Sequence, residues 1–376
     1  MTRQRIPVIV LAGFLGSGKT TLLNHLLRRR GGSRIGAVVN DFGSIEIDAM
    51  TVAGQVDSMV SLGNGCLCCA VDTSELDTYL ERLARPSARI DVIVIEASGL
   101  AEPQELIRMV LATENDRIVY GGLVEVVDGA EFAATRARHP EIDRHLSIAD
   151  LVVLNKTDRI GEEERQALLG TLGELSPGTP VICAAYGRVD PELFFDRRPR
   201  EEDDAAVRQL TFEDLFQEED AGDEDDAHRH HLHAAYESVE FSSSDPMNPR
   251  RLMEFLDSRP AGLYRVKGFV HFDVPGNRQK FGVHAVGDFL RFHPSPWERD
   301  ERPATRLVLI GSGIDAAGLR AALERCRETG PRTEADPNSM WGVLRYVPSS
   351  EEDPGEDDGR PDAPEPYDPV TYAERP

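Results

Sequence analysis

The chain has 376 residues, 40% of them hydrophobic, with 42 Lys and Arg against 66 Asp and Glu, a formal net charge of −24. That length implies two or three domains, and the acidic balance excludes a nucleic-acid binder, because phosphate backbones are held by surplus Lys and Arg. The charge is uneven: Glu201–Ala227 has 13 acids against Arg208 alone and Glu351–Pro376 has 10 against Arg360 and Arg375, so these segments carry −12 and −8 and leave about −4 elsewhere.

The first 190 residues alternate β-branched runs with amphipathic stretches. Pro7–Ala12, the first expected strand, runs into Gly13-Phe14-Leu15-Gly16-Ser17-Gly18-Lys19-Thr20, with a helix expected over Thr20–Arg30. G-x-x-x-x-G-K-T between a strand and a helix is the phosphate-binding loop. Its glycines let backbone N–H groups curl around phosphates, with Ser17 and Thr21 in the same cradle. Lys19 would reach the β- and γ-phosphates, and the Thr20 hydroxyl would ligate Mg²⁺. Val8–Ala12 is too short for a secretory h-region. No run approaches the roughly 18 apolar residues that span a bilayer.

Ile35–Asn40 reads as the next strand, followed by Asn40-Asp41-Phe42-Gly43. Gly63-Asn64-Gly65-Cys66-Leu67-Cys68-Cys69 then crowds three of the five cysteines into four positions. Such crowding suits a metal or redox site in a reducing cytosol rather than a disulfide framework. Thiolates favour soft or borderline ions such as Zn²⁺, and three leave a fourth ligand position open. A helix over Asp72–Ala84 follows, then the apolar strand Asp91–Glu96 leading into Glu96-Ala97-Ser98-Gly99. An acid at such a strand end can hold Mg²⁺ through water or orient the attacking water, and Gly99 lets its N–H approach the γ-phosphate.

A helix over Glu102–Leu111, strands over Ile118–Asp128 and Leu151–Asn155, a helix over Glu162–Leu172 and a strand over Val181–Ala184 complete this unit. Asn155-Lys156-Thr157-Asp158 sits at a strand end, where a carboxylate can accept both the ring N–H and the amino group of guanine. Two of the only four lysines, Lys19 and Lys156, fall in these motifs; the others are Lys267 and Lys280. A compact ammonium is not interchangeable with a guanidinium. The loop Cys183-Ala184-Ala185 could offer an N–H to the guanine carbonyl. No arginine finger or catalytic Gln is evident, so intrinsic turnover should be slow.

Residues 191–234 read as an acidic linker containing His228, His230, His231 and His233, either a loose auxiliary metal-attracting segment or a solvated stretch. Residues 235–330 read as a small α+β unit: a strand over Glu237–Phe241, a helix over Pro249–Asp257, three or four strands within Leu263–Phe292, a strand over Arg306–Gly311 and a helix over Ala316–Arg327. Residues 331–376 read as an acidic, Pro-rich, disordered tail. The expected fold is thus α/β, a P-loop NTPase domain with a mostly parallel sheet over 1–190, plus a small α+β C-terminal domain.

In order, Gly13–Thr20, Asn40–Gly43, Gly65–Cys69, Glu96–Pro103 (E-A-S-G-L-A-E-P) and Asn155–Asp158 resemble the CobW-like GTPases, P-loop GTPases that act as metallochaperones, and Ala261–Phe272 and Arg306–Gly311 resemble that family's C-terminal domain. The resemblance implies a cytoplasmic GTPase that couples hydrolysis to delivery of a metal to apo forms of client metalloproteins. The metal is most often zinc, with cobalt (Co²⁺) in cobalamin-linked members; metal buffering or sensing is the other reading. It implies Cys66, Cys68 and Cys69 as the zinc thiolates. Lys19 and Thr20 would bind phosphate and Mg²⁺, Glu96 would be the E-x-x-G acid, and Asn155, Lys156 and Asp158 would read guanine. Monomer and dimer both stay open.

Overall fold

The computed structural model describes residues 5–30, 32–39, 58–61, 73–99, 101–196, 236–328 and 337–348. Seven strands build the first sheet: β1 (Ile6–Ala12), β2 (Ile35–Val39), β3 (Ser58–Ser61), β4 (Val92–Glu96), β5 (Ile118–Asp128), β6 (Leu151–Asn155) and β7 (Val181–Cys183). Their order is β3-β2-β4-β1-β5-β6-β7, and every neighbouring pair is parallel. Parallel strands require crossovers on the faces, so both faces are buried and the strands read apolar throughout. The crossovers include helices α1 (Lys19–Arg28), α2 (Thr73–Ala84), α3 (Pro103–Ala112), α4 (Phe132–Arg138), α5 (Ile142–Ser147) and α6 (Glu162–Leu175).

Two cores flank the sheet. Leu80 of α2, Leu106 of α3, Phe132 of α4, Leu146 of α5 and Leu172 of α6 pack with Val8, Val10, Ile93 and Ile95 on one face. Leu22, Leu23, Leu26 and Leu27 of α1 pack with Ile9, Leu11, Val92 and Val94 on the other, and there Tyr264, Val286 and Ile310 of the second unit join them.

That second unit comprises β8 (Glu237–Ser243), α7 (Pro249–Asp257), β9 (Leu263–His271), β10 (Lys280–Val286), β11 (Phe289–Ser295), β12 (Thr305–Gly311) and α8 (Ala316–Arg325). Its sheet is antiparallel in the order β11-β10-β9-β12-β8. One face (Val266, Phe281, Val283, Phe292, Leu307, Leu309) buries against Leu252 and Leu256 of α7 and Leu323 of α8. Asn248 caps α7 by accepting from Arg251 N–H at 3.1 Å, ahead of a proline at N1, the position where its missing N–H costs nothing. The segment read as tail is corrected in part. Pro337–Met340 and Trp341–Leu344 are helical, and Met340 and Val343 are fully buried in this core. Two four-residue turns with one buried anchor each are too short for a periodic signal, and tertiary burial decides their structure.

The two units meet along β5. Its register on β1 shifts between Val8 and Ile9, and the extra residue falls at Gly121-Gly122. Gly122 has φ +110°, and a Cβ there would lie 2.7 Å from Val286 Cγ1 and 3.1 Å from Tyr264 Oη. The glycine bulge is therefore what lets β10 and β9 approach. Polar contacts hold the first unit's side of the seam and cross it. Tyr120 Oη donates to Asp150 Oδ2 at 2.6 Å, His284 Nε2 lies 2.8 Å from the Tyr120 carbonyl, and Gly262 N–H donates to the Gly178 carbonyl at 2.9 Å. Burial pushes Asp150 up to about 6, against the two hydrogen bonds it accepts from Tyr120 and Leu123.

Candidate functional site

Strand register puts the chemistry on one edge. Leu11 of β1 pairs with Glu96 of β4, Glu96 with Val39 of β2, and Val39 with Ser61 of β3. On the other side Ala12 pairs with Glu125 of β5, and Asp128 with Asn155 of β6. The loop after β1, Glu96, the segment leaving β2 and the segment leaving β3 therefore all start from one row at the carboxyl end of the sheet, where open α/β sheets bind ligands.

In the loop, Gly13, Gly16 and Gly18 have φ of +138°, +77° and +102°. Gly18 is also sterically required, because a Cβ there would sit 2.3 Å from Asn155 Nδ2. Lys19 is 7% exposed and its ammonium donates to the carbonyls of Gly13 at 2.9 Å and Phe14 at 3.3 Å. Thr20 Oγ1 donates to Glu96 Oε1 at 2.6 Å, with Glu96 only 3% exposed. Gly99 approaches the loop closely: a Cβ on it would lie 2.7 Å from the Leu15 amide nitrogen. Lys19, Thr20, Glu96 and Gly99 are thus brought together, an ammonium and two hard oxygen donors beside the N-terminus of α1. Thr21 is exposed on the first turn of that helix.

The second motif is fastened to the first. Asn155 is 2% exposed; its Nδ2 donates to the Ser17 carbonyl at 2.9 Å, and its Oδ1 accepts from Gly187 N–H at 2.9 Å. Its amide is engaged within the protein and positions both loops. Lys156, at φ +58°, donates to Asp128 Oδ2 at 2.6 Å. Thr157 N–H and Oγ1 both donate to the Ala184 carbonyl, at 3.1 and 3.0 Å. Asp158 is exposed and makes no hydrogen bond among the described residues. It is free to meet a ligand.

Glu125 escaped the sequence reading. It is 2% exposed in β5, behind the loop, and its Oε2 has no hydrogen-bond partner among the described residues; the same holds for Ser17 Oγ. Both line a cavity of about 280 Å³ walled by Phe14, Val127, Phe132 and Ile142. Burial pushes the Glu125 carboxyl up to about 8, opposed by the Lys19 charge. The signal was available: an acid at Glu125, inside a strand otherwise apolar up to its terminal Asp128 and buried on both faces, is a cost that a structural role does not require.

Cys66, Cys68, Cys69, the Asn40–Gly43 motif and His228, His230, His231 and His233 lie outside the described residues. Among the described residues no three His, Cys, Asp or Glu side chains converge as a metal site. No described helix is long and apolar enough to cross a membrane. Cys326 is buried, its thiol pushed up to about 11 by burial, which makes it inert packing.

Comparison with known proteins gives two family matches: residues 7–183 to the CobW/HypB/UreG nucleotide-binding domain, and residues 236–327 to the cobalamin synthesis protein cobW C-terminal domain. The chain is 32% identical over 353 residues to the zinc chaperone CobW of Sinorhizobium sp, covering 85% of this chain and 96% of that one. It is 28% identical over 333 residues to the zinc chaperone YjiA of Escherichia coli strain K12, covering 86% and 99%. It is 34% identical over 199 residues to the zinc-regulated GTPase metalloprotein activator 1 of Schizosaccharomyces pombe, covering 50% and 48%.

Proposed function

The chain belongs to the CobW/HypB/UreG family and is a P-loop GTPase, and from that premise we propose that it couples GTP binding and hydrolysis to carriage of zinc on Cys66, Cys68 and Cys69 and its release to apo metalloproteins. The register row supports this most. Ser61, the last described residue before the cysteine motif, is two strands from Glu96, about 10 Å at ordinary strand spacing. The segment Asn40–Gly43 leaves from Val39, between them. A γ-phosphate held at Thr20 and Glu96 is therefore one strand from Val39 and two from Ser61, the points at which the chain leaves toward Asn40–Gly43 and toward the cysteine motif.

In this reading Lys19 exchanges the Gly13 and Phe14 carbonyls for the β- and γ-phosphate oxygens. Asn155 holds the base loop and phosphate loop in one register while Asp158 accepts from guanine. Mg²⁺ fits the oxygen donors Thr20 and Glu96 and, when bound, neutralises charge on the phosphates. Glu96 would also orient the attacking water. Residues 1–190 are the GTPase unit and 235–330 the client-facing unit. The His cluster in 191–234 is an auxiliary capture segment.

Coupling demands reciprocal shifts: zinc affinity must differ between nucleotide states by the same factor by which zinc shifts nucleotide affinity. Chelator competition on the full chain at one zinc per chain, with Mg·GTP analogue and then Mg·GDP, should give affinities at least about tenfold apart, within the usual range of allosteric couplings. Equal affinities would sink the coupling, and retention of stoichiometric zinc by the triple Cys→Ser variant would sink the site.

Glu125 adds a pH signature. Phosphate charge beside Lys19 offsets the field that holds the Glu125 carboxyl down, so binding raises its proton affinity above the free-state value of about 8. Binding consequently takes up a proton, and affinity falls as pH rises through 8, by up to about tenfold per unit. Glu125→Gln should flatten that slope. Calorimetry of GDP binding between pH 7 and 9.5 in two buffers of different ionisation enthalpy reads the proton directly.

A further inference from the structure

On the antiparallel sheet, the face turned away from α7 and α8 is unusually basic. Arg265 and Lys267 alternate on β9, His284 lies opposite both Lys267 and Arg291, and His293 lies opposite Gly282. Alternation puts all five side chains on one face, and the glycine opposite His293 leaves a gap there. This face closes on the amino ends of β1 and β5, the far end of the sheet from Lys19. The result is a cavity of about 380 Å³, to which the first unit contributes Arg5, Asp91 and Asp196.

The donors in this cavity exceed the acceptors. Arg265 is 6% exposed; one of its terminal nitrogens donates to the Phe194 carbonyl at 3.1 Å, and its Nε has no partner among the described residues. The nearest carboxylate, Asp196, is 3.9 Å from that guanidinium and is already ion-paired with Lys267. Asp91 accepts from Arg34 N–H at 2.9 Å. Both ring nitrogens of His293 are shielded from solvent and without a hydrogen-bond partner among the described residues. Desolvation, Arg5, His284 and Arg291 together push His293 down to about 3, and desolvation with Arg265 pushes His284 to about 4. A buried guanidinium with an orphan N–H, beside two imidazoles held neutral first by burial and then by neighbouring cations, calls for an acceptor. A dianion would supply the missing acceptors, relieve the cation–cation repulsion and let the imidazoles protonate.

We propose that this seam cavity between the two units is a binding site for a small dianionic oxyanion, held by Arg265 and His293 with Arg5 and Lys267 at its rim. The site is independent of the nucleotide site and bridges both units, so its occupancy stiffens their junction.

The test is calorimetric, on the full zinc-free chain saturated with Mg and a non-hydrolysable GTP analogue so that the phosphate loop cannot take the probe. Inorganic phosphate is titrated in one arm and malonate in the other. One site per chain is expected for at least one probe. Arg265→Gln and His293→Gln should each weaken it tenfold or more while analogue affinity stays unchanged, and His293→Gln serves if Arg265→Gln fails to fold. Binding of phosphate alone assigns a phosphoryl ligand, and of malonate alone a dicarboxylate. Heat from neither probe, or binding that both variants leave intact, overturns the proposal.

Discussion

Lys19→Ala should lower single-turnover GTP hydrolysis by on the order of 10²- to 10³-fold, the usual loss when one preorganised charge-stabilising donor is removed. Lys19 is 7% exposed and its ammonium is fixed by the carbonyls of Gly13 and Phe14, so it is held in the loop before any phosphate arrives. Little reorganisation is then needed to stabilise charge developing on the phosphoryl oxygens. The fold should survive the change. Lys19 is the charge that opposes Glu125 ionisation being suppressed, and the carboxyl, already pushed up to about 8, stays protonated near neutral pH when that charge is gone. Thermal melts should therefore move by only a few degrees, on the order of 1 kcal/mol for a chain of this size. Lys19→Arg should not rescue turnover, because two carbonyl acceptors around a single ammonium do not suit a planar fork. Wild-type turnover in Lys19→Ala would remove Lys19 from the mechanism.

Much of the frame was legible because burial on both faces writes apolar runs. The extents of β5, β6 and α7 match the sequence expectation residue for residue, and β1, β2 and β4 differ only at their ends. β3, Ser-Met-Val-Ser, was not legible: two apolar residues carry no periodicity, and pairing with β2 makes the strand. Helices α4 and α5, seven and six residues long, failed for the same reason. At the site, the motifs named the residues but not their division of labour. Asn155 looks in sequence like a partner of Asp158 in base reading. Its burial against Ser17 and Gly187, and the absence of room for a Cβ on Gly18, make it the clamp between the two loops. That contact spans 138 residues of sequence, and no local pattern encodes it. Arg265 and His293 were unreadable in the same sense, since only strand pairing puts them on one face.

Asp158→Asn should exchange the base preference with the loop intact. Asp158 is exposed on the 3₁₀ turn Thr157–Arg159, and that turn is held by Thr157 to the Ala184 carbonyl rather than by the carboxylate. Guanine presents two donors on one edge, and a carboxylate accepts both. An amide can accept only one, and it turns its own N–H₂ toward the amino group of the base. Hydrogen bonds to charged groups are worth about 1.5–3 kcal/mol each, so losing one and creating a donor–donor contact should weaken GTP by on the order of 10²-fold or more. Xanthine carries a carbonyl where guanine has its amino group, so the Asn amide can donate to that oxygen and accept from the ring N–H. Xanthosine triphosphate should therefore bind the variant at least about tenfold more tightly than GTP does, an inversion worth roughly 1.4 kcal/mol. Lys19, Thr20 and Glu96 are untouched, so turnover of the xanthine nucleotide at saturation should approach the wild-type rate with GTP. Fluorescent-nucleotide competition for affinity, with phosphate release for turnover, separates the two quantities. A uniform loss for both nucleotides would mean that Asp158 holds the turn and does not read the base.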